Sequence, residues 1–147
     1  MADTGGYLRI ILDGTAFLLP GNAAAAVERR ENLRVEGGGD RVGAWRVSGR
    51  DRWPALLLDR GLKLLRAGSW QQAVFVRSDP QPVGLLATSV EPLTELDVTV
   101  ERFTSPGAAP TARGPLFSGA WVRGTDIVLQ FDPDALAAYL SQLRTNQ

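Results

Sequence analysis

The chain has 147 residues, 44% of them hydrophobic and 22% charged, enough for one ordinary domain with a buried core. Its 16 Lys and Arg cancel 16 Asp and Glu, so a formal net charge of zero gives no general support for nucleic-acid binding. Neither cysteine nor histidine occurs, which excludes disulfides, thiolate ligands, thiol nucleophiles and any Ser-His or Cys-His relay within the chain.

In chain order, residues 1–6 lack the basic stretch and apolar run of a secretory signal. Tyr7 to Leu12 and Thr15 to Leu19 are β-prone runs around Asp13-Gly14. That dipeptide predicts a hairpin, because both central residues of a type I′ turn need positive φ. Pro20-Gly21 closes the unit. Residues 22–30 carry four alanines yet are short and bounded by strands, so a helical turn or a distorted strand is expected. Gly37-Gly38-Gly39-Asp40 reads as a turn. It lacks the lysine and the strand-to-helix context of a phosphate loop.

Trp45 to Val47 and Trp53 to Leu58 are predicted strands joined by a charged turn, Ser48 to Arg52. The richest apolar stretch, 54–65, is broken by Asp59, Arg60 and Lys63, so nothing approaches the roughly 20 residues that cross a bilayer. A cytoplasmic protein is expected, without direct membrane insertion. Ala73 to Arg77 pairs with Val83 to Thr88 across Ser78 to Pro82. Val90 to Leu93 and the alternating Leu96 to Val100 are further strand candidates. Thr104 to Pro115, rich in proline, glycine and alanine, reads as a surface loop. Ser118 to Arg123 and Asp126 to Phe131 form another hairpin over Gly124-Thr125. Asp132 with Pro133 starts a helix whose stripe, Leu136, Tyr139, Leu140 and Leu143, should pack on the sheets. About ten short strands and one helix suggest small antiparallel barrels. Gly84 and Gly119, inside strands, suggest bulges or close backbone approach.

Read in order, four pieces of the chain resemble the CheW family of chemotaxis coupling proteins. The first is Tyr7 to Pro20, an apolar strand, tight turn, aromatic and Leu-Pro pair. The second is Gly43 to Leu58, with turn glycine Gly49 and strand-opening Pro54. The third is Pro82 to Val90, with its Val-Gly-Leu strand. The fourth runs from Phe117 to Asp132 and into the helix. Several family residues are replaced. Arg46-Val47-Ser48-Gly49 stands for Asn-x-Arg-Gly, and Arg50 to Trp53 puts four residues rather than three before the proline. Leu57 stands for an aspartate, Ala87-Thr88 for Val-Asp, and Ala26 for an acidic residue. The pattern is that of a divergent member, with a surface-motility or pilus-type pathway as one expected setting.

The resemblance implies a mostly-β fold, two small five-stranded β-barrel subdomains side by side with a C-terminal helix, intertwined as one domain over 1–147. It implies an adaptor with no catalytic residue, metal or cofactor. Its partners would be the regulatory domain of a CheA-type histidine kinase and the cytoplasmic tip of a chemoreceptor, in arrays that would bring the protein to the membrane without inserting it. Carried over by position, kinase docking falls on Ala24, Ala26, Val27, Trp45, Arg46 and Val47. The receptor groove falls on Ser48, Gly49, Trp53, Val90 and Leu93.

Apolar docking of this kind buries about 1,200–1,600 Å² and concentrates affinity in a few anchors. Trp45, Trp53, Trp70 and Trp121 are candidate anchors or else core and barrel-rim residues, and Trp53, after Arg50-Asp51-Arg52, is the best-placed exception to burial. That charged run, and Val27 to Glu31, read first as solvated turns and only second as contacts for a partner's charges. Asp132 and Asp134 fit a helix start better than a cation site. Two other functions stay open: a sensor or auxiliary subunit binding a small apolar molecule in the cleft between barrels, and an enzyme working with carboxylates alone.

Overall fold

The computed structural model describes residues 6–35, 41–103 and 115–145. Strands β1 (Tyr7–Leu12) and β2 (Thr15–Pro20) form the first hairpin, with Asp13 at φ 48° and Gly14 at φ 81° as a type I′ turn demands. Residues 22–30 combine both predicted forms. A 3₁₀ turn, Gly21–Ala23, runs into β3 (Ala24–Arg29), which is bulged between Ala24 and Ala26. A second such turn, Arg30–Asn32, precedes the two-residue β4 (Arg34–Val35). Gly37 to Asp40 lies outside the described residues.

Strands β5 (Ala44–Ser48) and β6 (Asp51–Leu58) leave only Gly49 and Arg50 between them. Gly49 takes φ 61°, which lets the chain reverse in two residues, so Asp51 and Arg52 join the ladder instead of the predicted longer turn. Then follow β7 (Leu64–Leu65), β8 (Gln72–Val76), β9 (Val83–Ala87) and β10 (Ser89–Leu93). The predicted strand Leu96 to Val100 does not form. Thr94–Asp97 is instead a turn closed by an Asp97 N–H bond to the Thr94 carbonyl (3.1 Å) and a Thr94 hydroxyl bond to the Asp97 carboxylate (2.8 Å). A short β11 (Glu101–Arg102) comes after it. Residues 104–114 of the predicted loop lie outside the described residues. The chain closes with β12 (Phe117–Arg123), β13 (Asp126–Phe131) and α1 (Pro133–Thr145). Asp132 caps the helix through its carboxylate, which accepts from the Ala135 N–H at 3.1 Å.

The strands make two sheets, ordered β10-β1-β2-β13-β12-β11 and β3-β8-β9-β6-β5-β4, with β7 paired to β6. Leaving aside the two-residue strands β4, β7 and β11, each sheet has five strands, as the resemblance implied. The chain enters the first sheet, builds the second from β3 to β9, and returns at β10 against β1. A parallel pairing locks each sheet: β13 on β2, and β6 on β9.

Three apolar clusters follow from period-two alternation. In the second sheet, Leu56, Leu58, Val74, Val76, Val83 and Leu85 face a central core shared with Ile10, Leu12, Phe17 and Leu19 of the first sheet. Leu136 and Leu140 of α1, both fully buried, complete that core. The alternate residues Ala55, Leu57, Ala73, Phe75 and Leu86 face the interior of the second sheet's own curl, with Trp70. A small third cluster, Leu18, Val98 and Val128, fills the curl of the first sheet. Gly84 is required here because a Cβ would lie 2.6 Å from the Phe75 ring and 2.8 Å from Ala55 Cβ. Gly119, beside the bulge in β12, leaves room for Val100 in the same way, at 2.5 Å.

Candidate functional site

The second sheet is curled enough that its two ends meet. Strand β3 is one margin, yet Glu28 on it accepts from Arg46 Nε on β5 at 2.7 Å, across the sheet's interior face. The Arg46 guanidinium also lies over the Trp53 ring, 4.5 Å from its centroid, and Trp53 in turn tilts against Phe75 at 5.8 Å. The positions expected to dock a kinase lie on β3 and β5, which this pair joins into one wall. Within it Val27 and Val47 are exposed (41% and 39%), Ala24, Ala26 and Trp45 are half-buried, and Arg46 is committed to Glu28 and Trp53.

The positions expected to line a receptor groove are distributed differently. Ser48 and Gly49 are exposed where β5 turns into β6, and Trp53 packs into the second sheet's interior. Val90 is buried in the central core, and Leu93 packs partly against the first sheet's small cluster. Leu93 and Pro92 on β10 face Ala24, Ala26 and Val27 across a cleft of about 280 Å³. That cleft joins Leu93 to β3 rather than to Ser48 and Gly49. A larger recess of about 580 Å³ lies between α1 and the β8–β9 loop, with Arg77, Asp79 and Asp134 at its walls.

Each tryptophan carries an arginine on its ring, a pattern the sequence alone did not single out. Arg30 sits over Trp70 at 4.4 Å and donates to its carbonyl at 3.0 Å. Arg123 covers Trp121 at 4.6 Å, a same-strand pair two residues apart. Trp45 is approached by two, Arg52 at 4.6 Å and Arg144 at 5.5 Å. Both charged clusters are thus partly built into the fold. Arg52 of the 50–52 run stacks on an indole, and Glu28 and Arg30 of the 27–31 run tie β3 into the barrel. Among the described residues, no group of three or more acidic side chains is arranged to hold a metal ion, and no helix is long and apolar enough to cross a membrane.

No family model matches the chain, and no curated protein matches it. Among solved structures it is similar to the scaffolding protein TtCheW from Thermoanaerobacter tengcongensis, with a TM-score of 0.57 over 91% of this chain and 92% of that one. The chain has the CheW fold. Sequence identity is 12%, so the likeness lies in the path of the backbone.

Proposed function

We propose that the protein is a non-catalytic adaptor coupling a CheA-type histidine kinase to chemoreceptors, in chemotaxis or in a pilus- or surface-motility pathway. The observation that carries this reading is a CheW fold spanning nearly the full length of both compared chains. In it, the regulatory domain of the kinase docks on Val27 and Val47, with Ala24, Ala26, Trp45 and Arg46 framing them. The receptor tip takes Ser48 and Gly49 at the hairpin with Trp53 behind them, while Val90 and Leu93, on β10 of the first sheet, lie apart from that hairpin. The exposed valines support this assignment, since two β-branched side chains left bare on one wall suit the apolar centre of a transient interface.

Isothermal titration of the purified chain with a cognate kinase regulatory domain tests the proposal. Micromolar binding is expected. Val27→Lys and Val47→Lys, both at exposed positions, should each weaken it by about tenfold while leaving the melting temperature unchanged. No heat of binding at high micromolar concentration, with both partners folded, would overturn it.

A further inference from the structure

We infer that the recess between α1 and the β8–β9 loop binds a free basic amino acid, lysine or arginine, through all three of its charges. The recess holds about 580 Å³, and its walls carry one cation and two anions. Arg77 stands just past β8, Asp79 in the loop that follows, and Asp134 in the first turn of α1. These charges do not neutralise one another. Ion pairs among the described residues join Arg9 to Glu91, Arg46 to Glu28 and Arg60 to Asp13, and none takes in Arg77, Asp79 or Asp134. One cation and two anions around a shared hollow match a ligand of the reverse pattern. A basic amino acid has it, in its carboxylate, its α-ammonium and its side-chain cation.

The receiving groups are held before anything binds, which lowers the ordering cost. The Arg77 backbone N–H donates to the Ala23 carbonyl at 2.9 Å, and its Nε donates to the Asn22 carbonyl at 3.2 Å. The donors on its two terminal nitrogens are left as a fork for a carboxylate. Across the recess, Asp134 rides on a helix fixed by the Asp132 cap and by Leu136 and Leu140 in the central core. The lining between these charges is small and apolar, with Ala137 and Ala138 from the helix and Pro82 from the loop. A methylene stem can lie along it while both ends stay at the charged walls.

Other chemistries answer fewer of the three groups. A phosphate would meet Arg77 but also two carboxylates. A polyamine would meet the carboxylates but also the guanidinium, and an apolar molecule would leave every charge without a partner. Because Arg77, Asp79 and Asp134 are all exposed, each pair contributes modestly, and a dissociation constant of about 1 mM is the expected scale. This inference does not rest on the coupling role proposed above.

Titration of the full isotope-labelled chain with L-lysine and with L-arginine, followed by backbone amide chemical shifts, reads the outcome. Shifts should saturate and should cluster on residues 77–82 and on α1 from Asp134 to Ser141. Three analogues each lack one charge: norleucine the side-chain cation, lysine amide the carboxylate, and Nα-acetyl-lysine the α-ammonium. Each should bind about threefold more weakly than lysine. Asp79→Asn and Asp134→Asn, both at exposed positions, should weaken lysine to a similar degree while the rest of the spectrum shows the fold intact. Shifts that do not saturate by about 10 mM, that saturate away from the recess, or that are as strong with norleucine as with lysine would each overturn the inference. So would folded Asn variants that bind lysine as well as the wild type does.

Discussion

Tyr139 joins α1 to the loop between β6 and β7 through a single atom. Its hydroxyl donates to the Leu62 carbonyl at 2.7 Å, and Leu62 holds φ 65°, a conformation that costs a side-chain-bearing residue roughly 1 kcal/mol. Two things repay that strain. Leu62 places its side chain in the central core, and Asp59 gathers the turn by accepting from the N–H groups of Gly61 (2.8 Å) and Lys63 (3.0 Å). Burial, with a smaller contribution from the Asp59 charge, raises the Tyr139 pKa above its ordinary 10.0. The folded state therefore holds the phenolic proton more tightly than the unfolded state. The resulting stabilisation is complete below pH 10 and fades as pH climbs through the raised value. Tyr139→Phe should cost about 1 kcal/mol at neutral pH. In urea melts that deficit should shrink above pH 10, and a deficit constant with pH would show that the hydroxyl carries none of it. Gly84 and Gly119 were legible at this scale, because glycine inside an apolar strand points to crowding. The arginine–tryptophan pairs were not. Arg46 with Trp53 and Arg52 with Trp45 depend on which residues face each other, and register follows only once the two-residue turn at Gly49 is known.

At the scale of elements, the three hairpins with strong turn chemistry and the capped helix were readable because each is decided by neighbours in sequence. Leu96 to Val100 misled for the same reason in reverse. Its alternation fits a strand, but the Thr94 hydroxyl and Asp97 carboxylate bond locally and turn the chain before a ladder forms. What lay beyond reading was the curl that brings β3 against β5, residues some twenty positions apart with no shared motif. Arg46 and Glu28 hold that seam with side chains 27% and 22% exposed, so solvent screens them less than an ordinary surface pair. A double-mutant cycle with Glu28→Ala and Arg46→Ala should return a coupling on the order of 1 kcal/mol, at the upper end for pairs that still touch water. Guanidinium unfolding would mask the charge effect through ionic strength, so urea is the denaturant of choice. A coupling of zero would mean that the apolar interior alone closes the sheet.

For the whole molecule, the question is whether two curled sheets behave as one folding unit. Their connectivity argues that they do. The first sheet cannot close without β10, which the chain reaches only after building all of the second, and the Gln72 side chain of β8 accepts from the Val90 N–H of β10 at 2.9 Å. The central core draws on both sheets and on α1, while the clusters private to each sheet are smaller. Losing either sheet would strip one wall from Leu136, Leu140, Phe17 and Leu56 together. Single large-to-small changes at such positions cost about 2–5 kcal/mol, against a total stability of about 5–15 kcal/mol for a domain. Either half alone is expected to lose too much of the shared core to fold. Urea unfolding should therefore give one transition, with the same midpoint by far-UV circular dichroism and by the fluorescence of single-tryptophan variants keeping Trp70 in the second sheet's interior or Trp121 in the first. Leu136→Ala should move both midpoints down together, because its side chain lies in the core the sheets share and in neither private cluster. A Trp121 signal that melts apart from the Trp70 signal would show the two sheets to be separate units.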